Sequence, residues 1–372
     1  MEFTPEQIIF LNNANLKLHI PIDNDSEKSK NIIFVYTPPK VGSTSLVSSI
    51  RLSCCKYFTT LHLHDELMIQ VLAGIENITI NEIIQYNKYI GKNVFVIDIY
   101  RSPIEQKMSA FFEKLTEYHY NTSVENLGKY NIYKIINRFN NIFPYLSNSD
   151  YYKEIYNIPF PNGFDFENKC LNQEINGIKY IKLRLKDSTE WGNILKNILN
   201  YEIIIVKDYE TENKPIKNIF IEFKDKYKIP QNLYNMIKDD INLNYYYSSD
   251  EINEYLSFWS NKRGPIHVPY KMEEYNLYAS ISMENMLYIE LHKDHYIDTG
   301  CSCNQCSNKR ISILNNIQNG DVDIEHINHE KENIIYKNKL NFLKKKKLIE
   351  LIKNSIIKPH KNPIKNNFKK TF

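Results

Sequence analysis

Apolar positions along the chain fall into runs of two kinds. Residues 31–37 (NIIFVYT) and 92–100 (KNVFVIDIY) are short, nearly continuous and β-rich, and each stops at a proline-bearing turn, Pro38-Pro39 and Arg101-Ser102-Pro103. Such runs predict strands buried on both faces. Residues 58–64 (FTTLHLH) alternate and predict a further strand, as do residues 178–185 (IKYIKLRL) and 201–207 (YEIIIVK). Between them lie stretches with helical spacing: LVSSIRLSCCKYF after the first strand, DELMIQVLAGI with Asp65 as its cap, and STEWGNILKNIL. Residues 216–238 and 249–260 also read as helical. Strand and helix alternation of this kind predicts an α/β fold, with a central parallel sheet flanked by helices.

The pattern loosens after residue 260. The expected organisation is an N-terminal extension (1–30), a main domain (31–260), an appendage (261–334) and a lysine-rich tail (335–372). At 372 residues and 42% hydrophobic content the chain can bury a large core. Its excess of Asn, Ile, Lys and Tyr reads as a codon bias and not as disorder. The start lacks a basic segment leading into an unbroken apolar run, and no window reaches the roughly 18 apolar residues of a membrane span, so a cytoplasmic protein is expected. Six scattered cysteines suit reduced thiols.

The net charge of +3 conceals an asymmetry. Residues 335–372 hold twelve lysines against Glu350 alone, which leaves residues 1–334 at −8. A basic surface for an anionic ligand must therefore be local in the main body. The tail segment 339–358 (KLNFLKKKKLIELIKNSIIK) has the pattern of a basic amphipathic helix, able to meet nucleic acid or an acidic surface, or simply to be solvated.

Two segments carry candidate chemistry. In the first, a strand leads through Pro39-Lys40-Val41-Gly42-Ser43-Thr44-Ser45 into a helix. Such a turn aims backbone N–H groups and the positive end of the helix dipole at one point, an anion site. Gly42 permits close approach, the three hydroxyls add donors, and Lys40 places charge where a leaving oxygen gains it. The loop is not a Walker A sequence, because its lysine precedes its only glycine, and this weighs against a nucleotide kinase. An ordinary β–turn–α connection is the bland alternative. The second segment is Arg101-Ser102-Pro103-Ile104-Glu105-Gln106-Lys107-Met108-Ser109. Ser102, Pro103 and Glu105 make a helix start with a capping box, which sets Arg101 at the sheet edge and Ser109 two turns along. A guanidinium fork and a hydroxyl can share one phosphate; a capped helix with a solvated arginine is the alternative.

Together the two segments resemble the PAPS-dependent sulfotransferases, whose PKxGxTS loop holds the 5'-phosphosulfate and whose RxPxxxxxS segment holds the 3'-phosphate of 3'-phosphoadenosine-5'-phosphosulfate. The resemblance implies a P-loop-like fold, with Lys40, Val41, Gly42, Ser43, Thr44 and Ser45 on the phosphosulfate and Arg101 and Ser109 on the 3'-phosphate. Residues 181–195 and 244–259 look like segments of capsular polysaccharide synthesis proteins, a related branch. The likeness covers roughly residues 31–260. A late KGxxG segment has no counterpart beyond Lys262-Arg263-Gly264-Pro265, which points to a carbohydrate acceptor.

Transfer to a hydroxyl needs a proton acceptor. His62 and His64 lie two apart on the alternating strand, so both face one way near the first loop, where ligands of parallel sheets bind. His64 is preferred, then His62, with Glu66 or Asp65 as alternatives. No metal is assigned to the site. His292, His295, Cys301, Cys303 and Cys306 form a separate HxxH and CxCxxC cluster able to offer zinc ligands, or else free thiols on a loop. A non-catalytic relative that keeps the fold as a binding protein is the remaining alternative.

Overall fold

The computed structural model describes residues 2–265, apart from residue 114 and residues 117–123, 129–130, 143–149, 208–210 and 212–213. Five strands form the central sheet: β1 (Asn31–Tyr36), β2 (Thr59–Leu63), β3 (Asn93–Tyr100), β4 (Cys170–Ile175) and β5 (Ile178–Arg184), in the order β2-β1-β3-β5-β4. β1 runs parallel to β2 and β3, and β3 runs parallel to β5. Alternate residues of β1 feed opposite cores, Ile32, Phe34 and Tyr36 on one face and Ile33 and Val35 on the other. That explains why its sequence is apolar without a break.

Helices cover both faces. In chain order they are α1 (Pro5–Lys17), α2 (Glu27–Lys30), α3 (Ser43–Cys54), α4 (Glu66–Ala73), α5 (Ile80–Tyr89), α6 (Pro103–Glu113), α7 (Val124–Leu127), α8 (Ile132–Ile142) and α9 (Tyr151–Glu154). They continue with α10 (Trp191–Leu199), α11 (Lys217–Lys226), α12 (Gln231–Lys238), α13 (Ile241–Tyr246) and α14 (Ser249–Asn261). α3 and α10 bury Leu46, Ile50, Trp191 and Leu195 against one face. The larger core on the other face draws on α5, α6, α8 and the C-terminal helices, through residues such as Ile83, Phe111, Phe139, Phe223 and Trp259.

Four expectations need correction. The sheet is not wholly parallel, because β4 pairs antiparallel with β5 through a two-residue turn. Asn176 and Gly177 both have positive φ, 52° and 74°, the combination that a tight right-twisted hairpin requires. Residues 201–207 form no strand. The amides of Ile204 and Val206 donate instead to the hydroxyls of Ser53 and Ser49 on α3, each at 2.9 Å, while Ile203 packs over Gly192 of α10. The position beside β5 is already filled by β4. The stretch 216–238, read as helical, is interrupted: α11 ends where Tyr227 turns extended, and α12 starts after Pro230, which cannot donate to a continuing turn. Residues 1–30, expected as an N-terminal extension outside the main domain, pack into its core: α1 lies on α5, Leu11, Ala14, Leu18 and Ile20 are buried there, and Asn15 and Asn87 exchange buried amide hydrogen bonds of 3.2 and 2.9 Å. The boundary at 334, the cysteine and histidine cluster and the lysine-rich tail lie outside the described residues.

Candidate functional site

The chain leaves β1 through Pro38-Pro39 and turns sharply into α3. Two residues carry the turn, Lys40 at φ 67° and Gly42 at φ 91°. A Cβ on Gly42 would also sit 2.6 Å from the end of the Leu185 side chain, which would have to shift; the backbone conformation is what favours glycine there. Gly42 is the N-cap of α3 and has no side chain to satisfy its first amides. The first turn, Ser43, Thr44 and Ser45, opens instead onto a cleft of about 410 Å³. This is the anion-favouring end of a helix, left open. Val41 is buried in the core against α3, so its side chain is turned away from the cleft.

Arg101 and α6 form the adjoining wall. Arg101 Nη1 donates to the Lys40 carbonyl at 2.8 Å and Gln106 Nε2 to the Pro39 carbonyl at 2.9 Å, which ties the loop to the helix. Arg101 Nε is buried with no hydrogen-bond partner. Burial lowers the Arg101 pKa, opposed by the nearby Glu105 charge. α6 begins with Pro103, but the Ser102 hydroxyl donates to the Glu105 carboxylate at 2.5 Å, a side-chain pairing in place of the expected capping box. Tyr255 OH donates to the same carboxylate at 2.7 Å. Burial pushes the Glu105 pKa up, while these hydrogen bonds hold it back.

Lys40, Gly42, Ser43, Thr44, Ser45, Arg101 and Ser109, expected from two separate segments, thus line one cleft. So does His64. Its Nδ1 lies 2.7 Å from the Thr37 carbonyl, which can only accept, so the proton sits on Nδ1 and Nε2 carries the lone pair. Burial lowers its pKa, with Thr37 and Asp65 pulling the other way, which favours the neutral ring. His62 packs edge-on against His64 with centroids 4.6 Å apart, but it does not line the cleft, and its Nε2 is buried without a partner. Burial, then His64, Arg51 and Lys40, hold its pKa well below the ordinary value. Asp65 caps α4 by accepting the Met68 amide at 2.8 Å, and Glu66 accepts from the Ile80 amide at 3.3 Å. Both carboxylates have structural employment and neither lines the cleft.

The far wall was not anticipated. Lys207, Lys214 and Lys224 bring the cationic side chains to five, against Glu105 and Glu113. The positive potential is therefore concentrated here in a body that is otherwise acidic. Glu113, at the end of α6, forms an ion pair with Lys40. Its signal in the sequence was its spacing, since Glu105, Ser109 and Glu113 stand four apart on one helix.

A second groove of about 390 Å³ continues from the shared wall of Arg101, Glu105 and Leu185 and is lined by Tyr247, Tyr255 and Phe258. Arg184 holds these aromatic helices over the sheet. Its Nε donates to Asp187 at 2.6 Å, and its Nη1 donates to the Tyr246 carbonyl and to Glu251, both at 2.8 Å.

Among the described residues no group of His, Cys, Asp or Glu is arranged to hold a metal ion, and no helix is long and apolar enough to cross a membrane. In comparisons with known proteins, no family model, no curated protein and no solved structure matches the chain.

Proposed function

We propose that the cleft binds 3'-phosphoadenosine-5'-phosphosulfate and that the protein is a sulfotransferase with a P-loop-like fold, acting on a hydroxyl of a carbohydrate acceptor. One observation carries this reading: a lysine at an open helix N-terminus and an arginine with an unpaired buried Nε face the same cavity from independent segments. The α3 amides and Ser43, Thr44 and Ser45 suit the 5'-phosphosulfate, and Arg101 with Ser109 suits the 3'-phosphate. The tyrosine and phenylalanine groove beyond Arg101 suits the purine.

In the transfer, the acceptor oxygen attacks sulfur in line with the bridging oxygen. The new O–S bond forms as the bridging S–O bond breaks, and the departing phosphate keeps the electron pair. Lys40 offsets the charge that gathers there. His64 takes the acceptor proton on Nε2, the nitrogen left free by the Thr37 contact. His64 is preferred to His62 because it alone of the two lines the cleft.

Calorimetry with the desulfated product, adenosine 3',5'-bisphosphate, tests the donor site. Lys40→Ala and Arg101→Ala are each expected to weaken binding by roughly a hundredfold, as loss of a charge-assisted phosphate contact does. Unchanged affinity in both variants removes the assignment. Sulfur-labelled donor incubated with a panel of glycans then identifies the acceptor; bound bisphosphate without any sulfated product would instead indicate a binding protein.

A further inference from the structure

A carboxylate inside a site for a polyanion opposes its ligand, and Glu113 is such a group. It lies one turn beyond Ser109 on the cleft-facing stripe of α6. It pairs with the Lys40 ammonium, and the two side chains remain 27% and 20% exposed, so solvent and ligand can reach the pair. Both residues line the same cleft as His64, whose pKa is lowered most by burial, raised by the Thr37 hydrogen bond and the Asp65 charge, lowered by Lys40 and raised, by the smallest of these effects, by Glu113. The other groups around His64 are already committed: Thr37 O accepts from Nδ1, Asp65 caps α4, the His62 ring packs edge-on, and Tyr151 OH donates to the His64 carbonyl.

On the reading that the cleft takes a sulfuryl donor, we propose that Glu113 is an exchangeable counter-ion. It holds Lys40 in the empty cleft, yields it to the donor, and then stabilises the imidazolium formed when His64 takes the acceptor proton. The exchange follows from charge alone. The bridging oxygen of the donor and the Glu113 carboxylate need the same ammonium, and like charges drive one away as the other arrives. Once Lys40 turns to the donor, a charge that opposes protonation of His64 is occupied, and Glu113, which adds to Asp65 in favouring it, is released. Proton abstraction is thereby coupled to donor occupancy: the proton moves from the acceptor hydroxyl to Nε2, with Glu113 supplying the compensating negative charge. No further reactant enters. The device imposes an order, donor before acceptor deprotonation.

Glu113→Gln keeps the shape of the side chain and removes its charge, and its thermal transition serves as the folding control. In calorimetry with adenosine 3',5'-bisphosphate, the variant is expected to bind roughly fivefold tighter than wild type, because the internal competitor is gone. Its sulfuryl turnover is expected to fall by roughly ten- to a hundredfold. The acid limb of kcat/KM should move slightly to lower pH, since His64 keeps Asp65 but loses one of the two charges that raise its basicity. Equal or weaker bisphosphate binding by the variant overturns the exchange. Tighter binding with unchanged turnover and pH profile overturns the role on His64. Wild-type protein that binds no bisphosphate fails the donor reading itself, a result separate from either.

Discussion

Two ionic clusters stand near the carboxyl ends of the strands, and they are built on opposite plans. In the first, Lys182 of β5 is sealed between Asp98 of β3 at 2.5 Å and Asp150 at 2.8 Å. The remaining carboxylate positions are filled. Asp98 accepts from the Thr37 hydroxyl at 2.7 Å and the Tyr152 amide at 3.0 Å, and Asp150 accepts from Tyr246 OH at 2.6 Å. Burial works against the charge on Lys182, yet the two aspartates hold its pKa above the ordinary lysine value. Among the described residues of the cleft, cationic side chains outnumber carboxylates, the N-cap of α3 is a glycine that makes no side-chain cap, and Arg101 Nε has no partner. A saturated cluster serves the fold; a buried donor without a partner, as Arg101 Nε is, suits an acceptor atom of a ligand.

The sharpest break of that contrast is Lys182→Met, which leaves two carboxylates facing each other in the core. It is expected to cost about 3–5 kcal/mol in urea denaturation, whereas Lys40→Met should change stability by less than about 1 kcal/mol. Equal losses would erase the distinction. Next in size is His64→Ala, expected to lower sulfuryl turnover by roughly 10²- to 10⁴-fold while bisphosphate affinity changes by no more than about twofold. On the proposed reading the neutral ring is the active form; burial lowers its pKa, so wild-type activity should hold as pH falls to 6.5 and decline only below it. A decline beginning above that pH excludes His64 as the base.

The smallest effect concerns a third kind of cation. Lys107, on the same helix as Ser109, is 3% exposed, has no hydrogen-bond partner for Nζ, and lies 4.3 Å from the Phe139 ring centroid. Burial brings its pKa down to about 7. An unfolded lysine keeps its proton up to about 10.5. Between these values the unfolded chain binds more protons, and stability should rise with pH. Lys107→Met is expected to add about 2 kcal/mol at pH 7, an advantage that shrinks as pH approaches 10. No gain at pH 7 would mean that the Phe139 contact sustains the charge.

What could be read from the sequence follows from the range over which each feature is decided. β1, β3 and β5, the loop from Pro39 to Ser45 and the start of α6 depend on neighbouring residues, and their patterns predicted them. Asn176-Gly177 was a local hairpin signal as well, and it reveals β4 once read as such. Residues 201–207 deceived because β-branched composition reports a preference for extended backbone but not the partner of that backbone, which here is a pair of serine hydroxyls on α3. The meeting of Lys40 with Glu113, 73 positions apart, belongs to tertiary packing. The charge of the far wall does as well, because Lys207 and Lys214 come from irregular chain whose course no periodicity records.

The hydrogen bonds from Arg101 and Gln106 to the loop carbonyls have a mechanical consequence. They fasten the two jaws of the cleft together, so the gap between them has a set pitch. On the proposed reading the cleft would work as a calliper, gauging the span from one charged terminus of a guest to the other. A guest of the wrong length can satisfy one jaw only by letting go of the second.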